Sequence, residues 1–218
     1  VAPGTGWPGD PADAGTPVAR SAAGVRRLSR TPRLDVLEAR VSVCSACPRL
    51  VAWREDVARR KRASYAAEPY WGRPIPGWGA PTPRILVMGL APAANGANRT
   101  GRVFTGDRSG DWLFASLHRV GLATRDTSVH AADGQELLET RMVAAVRCAP
   151  PLNKPTTEEI ATCAPWAEAE LALVAERLRV VVALGSIGWD AALRSLAGAG
   201  WVVPRPKPRF GHGATATI

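Results

Sequence analysis

Residues 85–114 read ILVMGLAPAANGANRTGRVFTGDRSGDWLF, and this stretch decides the fold. Ile85, Leu86, Val87 and Met88 form a short continuous apolar run ending at Gly89 and Leu90, the signature of a strand buried on both faces. A loop rich in small residues follows to Arg108. Ser109 then stands where a helix N-cap is expected, with Trp112, Leu113, Leu117 and Val120 spaced to form an apolar face. The same rhythm recurs downstream. Residues 142–146 read as a second buried strand, Thr156-Thr157-Glu158-Glu159 as a capping box opening a helix through Leu178, residues 180–184 as a third strand, and Ser186 as the cap of a helix reaching Leu196. Alternating strands and helices predict an α/β fold, a parallel sheet covered on both faces. In such sheets ligands bind beyond the carboxyl ends of the strands, which is where the loop after Gly89 emerges.

Upstream, Leu34, Val36, Leu37 and Val41 predict a helix running into Cys44 and Cys47. Pro48 opens a second helix through Arg62, with Leu50, Val51, Arg54 and Val57 at helical offsets. Residues 1–33 are studded with Pro and Gly and lack periodicity, which predicts a disordered basic arm before a domain over 34–218. The 218 residues hold 28 basic and 19 acidic side chains, a net charge of +9, and residues 1–62 carry 12 of the basic and 6 of the acidic ones. Such an excess fits either a solvated charged tail or attraction to a polyanion such as nucleic acid. No apolar run approaches the roughly 18 residues of a membrane span, and the first 30 residues contain no signal-like apolar segment. The expected setting is cytoplasmic, with no membrane partner.

Cys44, Cys47, Cys148 and Cys163 are the only cysteines. Thiols in a reducing compartment stay reduced, so structural disulfides are disfavoured and a metal site is favoured. Four cysteines at loops and helix ends, near Pro48, Pro150 and Pro165, admit either zinc or an iron–sulfur cluster on spacing alone.

The loop from Gly89 to Asp107 is too long to be an idle connection. Its small residues permit close backbone approach to a ligand, and Arg99, Arg102 and Arg108 are candidates for phosphate contacts. Phe104 suits either stacking on a base or core packing. Asp107, in Thr-Gly-Asp-Arg-Ser-Gly, reads first as a turn or cap residue. Asn153 follows the second strand at the same edge and can either serve a turn or donate to and accept from a base edge.

Longer stretches carry a resemblance: residues 89–114, RCAPPLNKPTTEE (147–159), VVALGSIGWDAAL (181–193), FGHGA (210–214) and the four cysteines. From Leu34 onward the chain resembles the uracil-DNA glycosylase superfamily, specifically its iron–sulfur family 5, or B-type, branch. The resemblance implies a three-layer α/β/α sandwich around a four-stranded parallel sheet, a [4Fe-4S] cluster on Cys44, Cys47, Cys148 and Cys163, and a monomer that excises uracil, or other deaminated bases such as hypoxanthine, from DNA. Gly89, Ala91, Pro92 and Ala93 fall in the first active-site motif, where this branch has a small apolar residue in place of its relatives' water-activating Asp or Asn. Asp107 resembles the compensating acid, Phe104 the platform for the flipped base, and Asn153 a contact to the base's polar edge. Asn95 stands where the family has His. A His-Pro-Ser motif on the fourth strand is expected about ten residues after Gly-His-Gly, past Ile218, and His212 is not its equivalent. The resemblance therefore implies a glycosylase domain whose fourth strand is missing or incomplete here; the competing reading is an iron–sulfur module that binds DNA lesions with impaired catalysis.

Overall fold

A computed structural model describes residues 1–218. In chain order the elements are α1 (Ala22–Leu28), α2 (Leu34–Ser42), α3 (Pro48–Arg60), β1 (Trp78–Gly79), β2 (Ile85–Gly89), α4 (Ala97–Thr100), α5 (Arg108–Arg119), β3 (Thr140–Ala144), α6 (Thr157–Val174), β4 (Val180–Ala183) and α7 (Gly185–Gly198). The sheet order is β1-β3-β2-β4. β2 runs parallel to both β3 and β4, pairing Gly89 with Ala144 and Met88 with Ala183, so all three parallel strands end at one edge. These are the three strands legible in the sequence. The fourth differs from expectation: it is the two-residue β1, antiparallel to β3, so the sheet is mixed rather than parallel.

Alternation along the strands divides the core. Val87, Met142 and Ala144 face Trp71, Ile75, Phe114 and Leu117. Leu86, Met88 and Val143 face Leu171, Ala191, Ala192 and Leu196 on the other side. A third cluster joins Val25, Leu37, Val41 and Leu50 of the first three helices to Val146, Trp166, Cys148 and Cys163. No helix is long and apolar enough to cross a membrane.

The largest correction concerns residues 1–33, which are packed rather than disordered. The Trp7 ring packs tilted against Trp71 with centroids 5.7 Å apart, Asp10 pairs with the buried Arg73 at 2.5 Å, and Ala19 and Val25 are fully buried. Ser21 accepts from the Gly24 amide to cap α1. Burial of these few anchors offsets the ordering entropy that a Pro/Gly-rich segment would otherwise keep. In α5, Phe114 and Leu117 face the core while Trp112 is 73% exposed and Val120 also lies outside, so the apolar face is narrower than its spacing suggests. The capping box of α6 forms as written, with Thr156 accepting from the Glu159 amide and Glu159 accepting from the Thr156 amide.

A buried ionic network ties the layers together. Glu170 of α6 accepts from Arg141 at 2.6 Å and pairs with Arg147 at 2.7 Å, and Arg141 also pairs with Glu38 of α2. Burial alone would raise the Glu170 carboxyl, but the Arg147 and Arg141 guanidiniums hold it below its ordinary value. Gly77 must be glycine, because a Cβ there would overlap the Glu170 carboxylate.

Candidate active site

The loop leaving β2 is built, not loose. It contains α4, and Ala97 to Thr100, Arg102, Val103 and Thr105 are all buried. Two of the three arginines expected to meet phosphates hold the loop instead. Arg99 pairs with Glu68, donates to the Asn95 and Gly106 carbonyls and lies 4.0 Å over the Tyr65 ring. Arg102 pairs with Asp133 at 2.6 Å, donates to Thr105 and Ser128, and lies 4.5 Å over Trp78. Burial would raise the Asp133 carboxyl, but Arg102 and the Gln135 and Val129 amides pull it down to about 2. Arg108 alone of the three is exposed.

This scaffold brings the sequence's first-motif residues to Phe104 and Asp107. Phe104 is half-buried at φ 53°, and its ring tip would lie 2.5 Å from a Cβ on Gly89. Only glycine at the end of β2 lets the ring lie there. The N-cap of α5 is Asp107 rather than Ser109: its Oδ1 accepts from the Ser109 amide at 3.0 Å, the Gly110 amide at 3.1 Å and the Ser109 hydroxyl. Its Oδ2 faces Gly96, where an added methyl would overlap that oxygen and lie 3.1 Å from both Asp107 Cγ and Ala93 Cβ. One carboxylate oxygen is thus fixed by a helix N-terminus and the other has no protein partner in the bonds formed. Pro92 is buried beside the half-buried Ala91 and Ala93.

Asn95 is oriented by a residue that sequence reasoning misses: the buried Tyr70 hydroxyl donates to its Oδ1 at 2.8 Å. Asn153 is not brought into contact with Phe104 or Asp107. It lies exposed in the turn after β3, at φ 55°, behind the 84% exposed Leu152, which is also left-handed at φ 54°. The turn nevertheless rises from the same carboxyl edge as the Gly89 loop.

The four cysteines, from three separate segments, line a single small cavity with Leu50, Arg54, Val146, Arg147 and Trp166. Burial raises the thiols of Cys44, Cys148 and Cys163 and pushes Cys47 up to about 12; neighbouring thiols reinforce the rise at Cys47, Cys148 and Cys163, and the Arg54 guanidinium opposes it at Cys44, Cys47 and Cys148. Arg54 donates to Cys148 Sγ at 2.9 Å and the Arg147 amide to Cys163 Sγ at 3.3 Å. No three His, Cys, Asp or Glu side chains are set to grip a single metal ion.

Comparison with known proteins identifies the family. The family pattern described as the uracil DNA glycosylase superfamily matches residues 76–215, which hold the whole Gly89–Asp107 loop, Asn153 and two of the cysteines. A Type-5 uracil-DNA glycosylase of Mycobacterium bovis is 57% identical over 219 residues, covering 100% of this chain and 80% of its own length. Namesakes from Thermus thermophilus and Pyrobaculum aerophilum are 55% and 47% identical, over 70% and 76% of this chain and 68% and 73% of their own lengths. A match of this extent, laid over a sheet edge that gathers the long loop and its capped carboxylate, places the chain in the uracil DNA glycosylase superfamily.

Proposed function

We propose that the chain is a uracil-DNA glycosylase that hydrolyses the bond between uracil and deoxyribose in damaged DNA. The observation that carries this reading is the half-capped Asp107 packed against Gly96 beside the Gly89–Phe104 contact. A base inside a duplex must be flipped out before its sugar can be reached, at a cost of a few kcal/mol that is smallest for a mispaired base. Phe104 offers a ring on which the flipped base stacks, and Asn153 supplies donors and acceptors for its edge as the turn engages DNA. As the C1′–N bond breaks, positive charge grows on the sugar and negative charge on the base. Asp107 Oδ2 stabilises the sugar cation, the oxygen of water bonds to C1′ and gives up a proton, and the departing base anion takes up one in exchange. Its Oδ1 is already held by α5, so the carboxylate needs no reorganisation.

Cys44, Cys47, Cys148 and Cys163 are the residues that would hold a [4Fe-4S] cluster. Four thiols from three chain segments lining one small cavity support this reading, and a tetrathiolate set is the ligand set such a cluster takes. When bound, the group supplies cross-linking of three chain segments rather than electrons, since N-glycosidic hydrolysis involves no net redox change.

The test is uracil release from U·G duplexes under single turnover. Asp107→Asn is expected to slow release by about 100-fold or more while uracil-DNA binding changes little. An unslowed variant moves catalysis to another residue. Protein purified anaerobically is expected to contain about four irons per chain; zinc in their place removes the cluster reading.

A further inference from the structure

Arg54 is buried to 4% exposure in α3 without a buried carboxylate to balance it. The carboxylate nearest its guanidinium in an ion pair is Glu55, 3.9 Å away and 62% exposed, too distant and too wet to serve. Its Nη1 donates instead to the Cys44 carbonyl at 3.0 Å and to Cys148 Sγ at 2.9 Å, and its Nε has no partner. The other buried arginines near the core, Arg73, Arg99, Arg102, Arg141 and Arg147, each meet a carboxylate within 2.7 Å. An isolated buried cation costs several kcal/mol, and a neutral thiol is a weak acceptor that does little to offset it. A sulfur carrying negative charge removes the difficulty.

We propose that Arg54 is the counter-cation of the four-cysteine site, balancing the negative charge of the bound cluster and positioning Cys148 as a ligand. The assignment rests on the cluster reading above. Four thiolates around a cluster core carrying two positive charges leave roughly −2 in a dry interior, and the charge of nearby groups is one of the protein's levers on such a cluster. Arg147 cannot take this role alone, because Glu170 already neutralises it. Arg54 also reaches the active-site loop: its own carbonyl accepts from the buried Asn98 Nδ2 of α4 at 3.2 Å. One residue thereby connects a cluster ligand to the segment that carries Gly96.

The experiment compares the unsubstituted chain with Arg54→Lys and Arg54→Met, all purified anaerobically and checked for native helix content by circular dichroism. Iron per chain, the midpoint potential from a dye-mediated titration, and the rate of bleaching in air are read on each. Arg54→Met is expected to have a more negative potential and to bleach several-fold faster, because the cluster no longer faces a cation; Arg54→Lys is expected to fall between. Iron lost from Arg54→Met but kept by Arg54→Lys supports the same assignment. Equal potentials and lifetimes in all three overturn it, as does equal iron loss from both folded variants, which makes Arg54 a packing residue. An unsubstituted chain without iron overturns the cluster reading first, and is recognised as such because no variant is involved.

Discussion

Gly96 and Asp107 lie eleven residues apart and meet only because α4 folds the loop back on itself. A sequence reading can mark Asp107, since a carboxylate before Ser-Gly at a helix start has few roles, but nothing in Asn-Gly-Ala-Asn distinguishes Gly96 from a flexible joint. Its requirement is tertiary: an added methyl overlaps Asp107 Oδ2. Gly96→Ala is therefore expected to turn the carboxylate and cut single-turnover excision by about 100-fold, the cost of misplacing a catalytic group by about 1 Å. A smaller effect is expected on melting temperature, because even a weakened Asp107 cap costs only about 1 kcal/mol. An alanine variant of full activity would show that Asp107 Oδ2 is free to move and takes no part in the reaction. Tyr70 is hidden from sequence reading for the same reason as Gly96, since its hydrogen bond to Asn95 spans 25 positions. Arg54 is half legible: its offset places it on the apolar stripe of α3, and a charge on such a stripe needs a buried partner, which the sequence alone does not name.

Elements with local signals are legible in the sequence. β2, β3 and β4 announce themselves as apolar runs, α6 by its capping box, and α3 by Pro48 at its first turn. The loop between β2 and α5 reads in sequence as an unstructured, arginine-lined ligand contact, and the structure differs there because whether an arginine faces solvent depends on carboxylates supplied by other segments. Glu68 and Asp133 are those partners. Asp133 provides a test with a definite sign. Its carboxyl lies at about 2 when folded against about 4 unfolded, so the stability it contributes is complete above about pH 4 and is lost as pH falls toward 2. Asp133→Asn is expected to lower stability at neutral pH by about 3 kcal/mol, having left Arg102 buried without its charge partner. The variant's stability is also expected to fall less steeply than the unsubstituted chain's between about pH 4 and 2 in urea titrations. Parallel pH profiles would place the acid sensitivity elsewhere, Glu170 being the obvious source.

At the scale of the whole molecule, the N-terminal segment poses the question of whether its basic residues serve packing or partners. Composition suggests disorder, because Pro and Gly raise the entropy of the free chain and a lone Trp7 or Asp10 gives no hint of what it will find. The structure separates the two functions by residue. Trp7, Asp10, Ala19 and Val25 face inward, whereas Arg20, Arg26, Arg27, Arg30 and Arg33 are exposed. Arg33 is engaged by Asp35, which leaves the others as free positive charge on an ordered surface. Asp10→Asn strands the buried Arg73 and is expected to cost about 3 kcal/mol of stability, yet to leave the salt dependence of DNA binding unchanged. Replacing Arg26, Arg27 and Arg30 by Gln is expected to do the reverse. Melting temperature holds, while the slope of log affinity against log salt falls by up to about 3, close to one for each phosphate that is no longer neutralised, with the same preference for uracil over normal bases. The two measurements together discriminate: if the triple variant keeps the full slope, the packed arm is structural only, and the DNA backbone is held by cations at the carboxyl edge such as Arg108 and Lys154, which are exposed beside the Gly89 loop and the Asn153 turn.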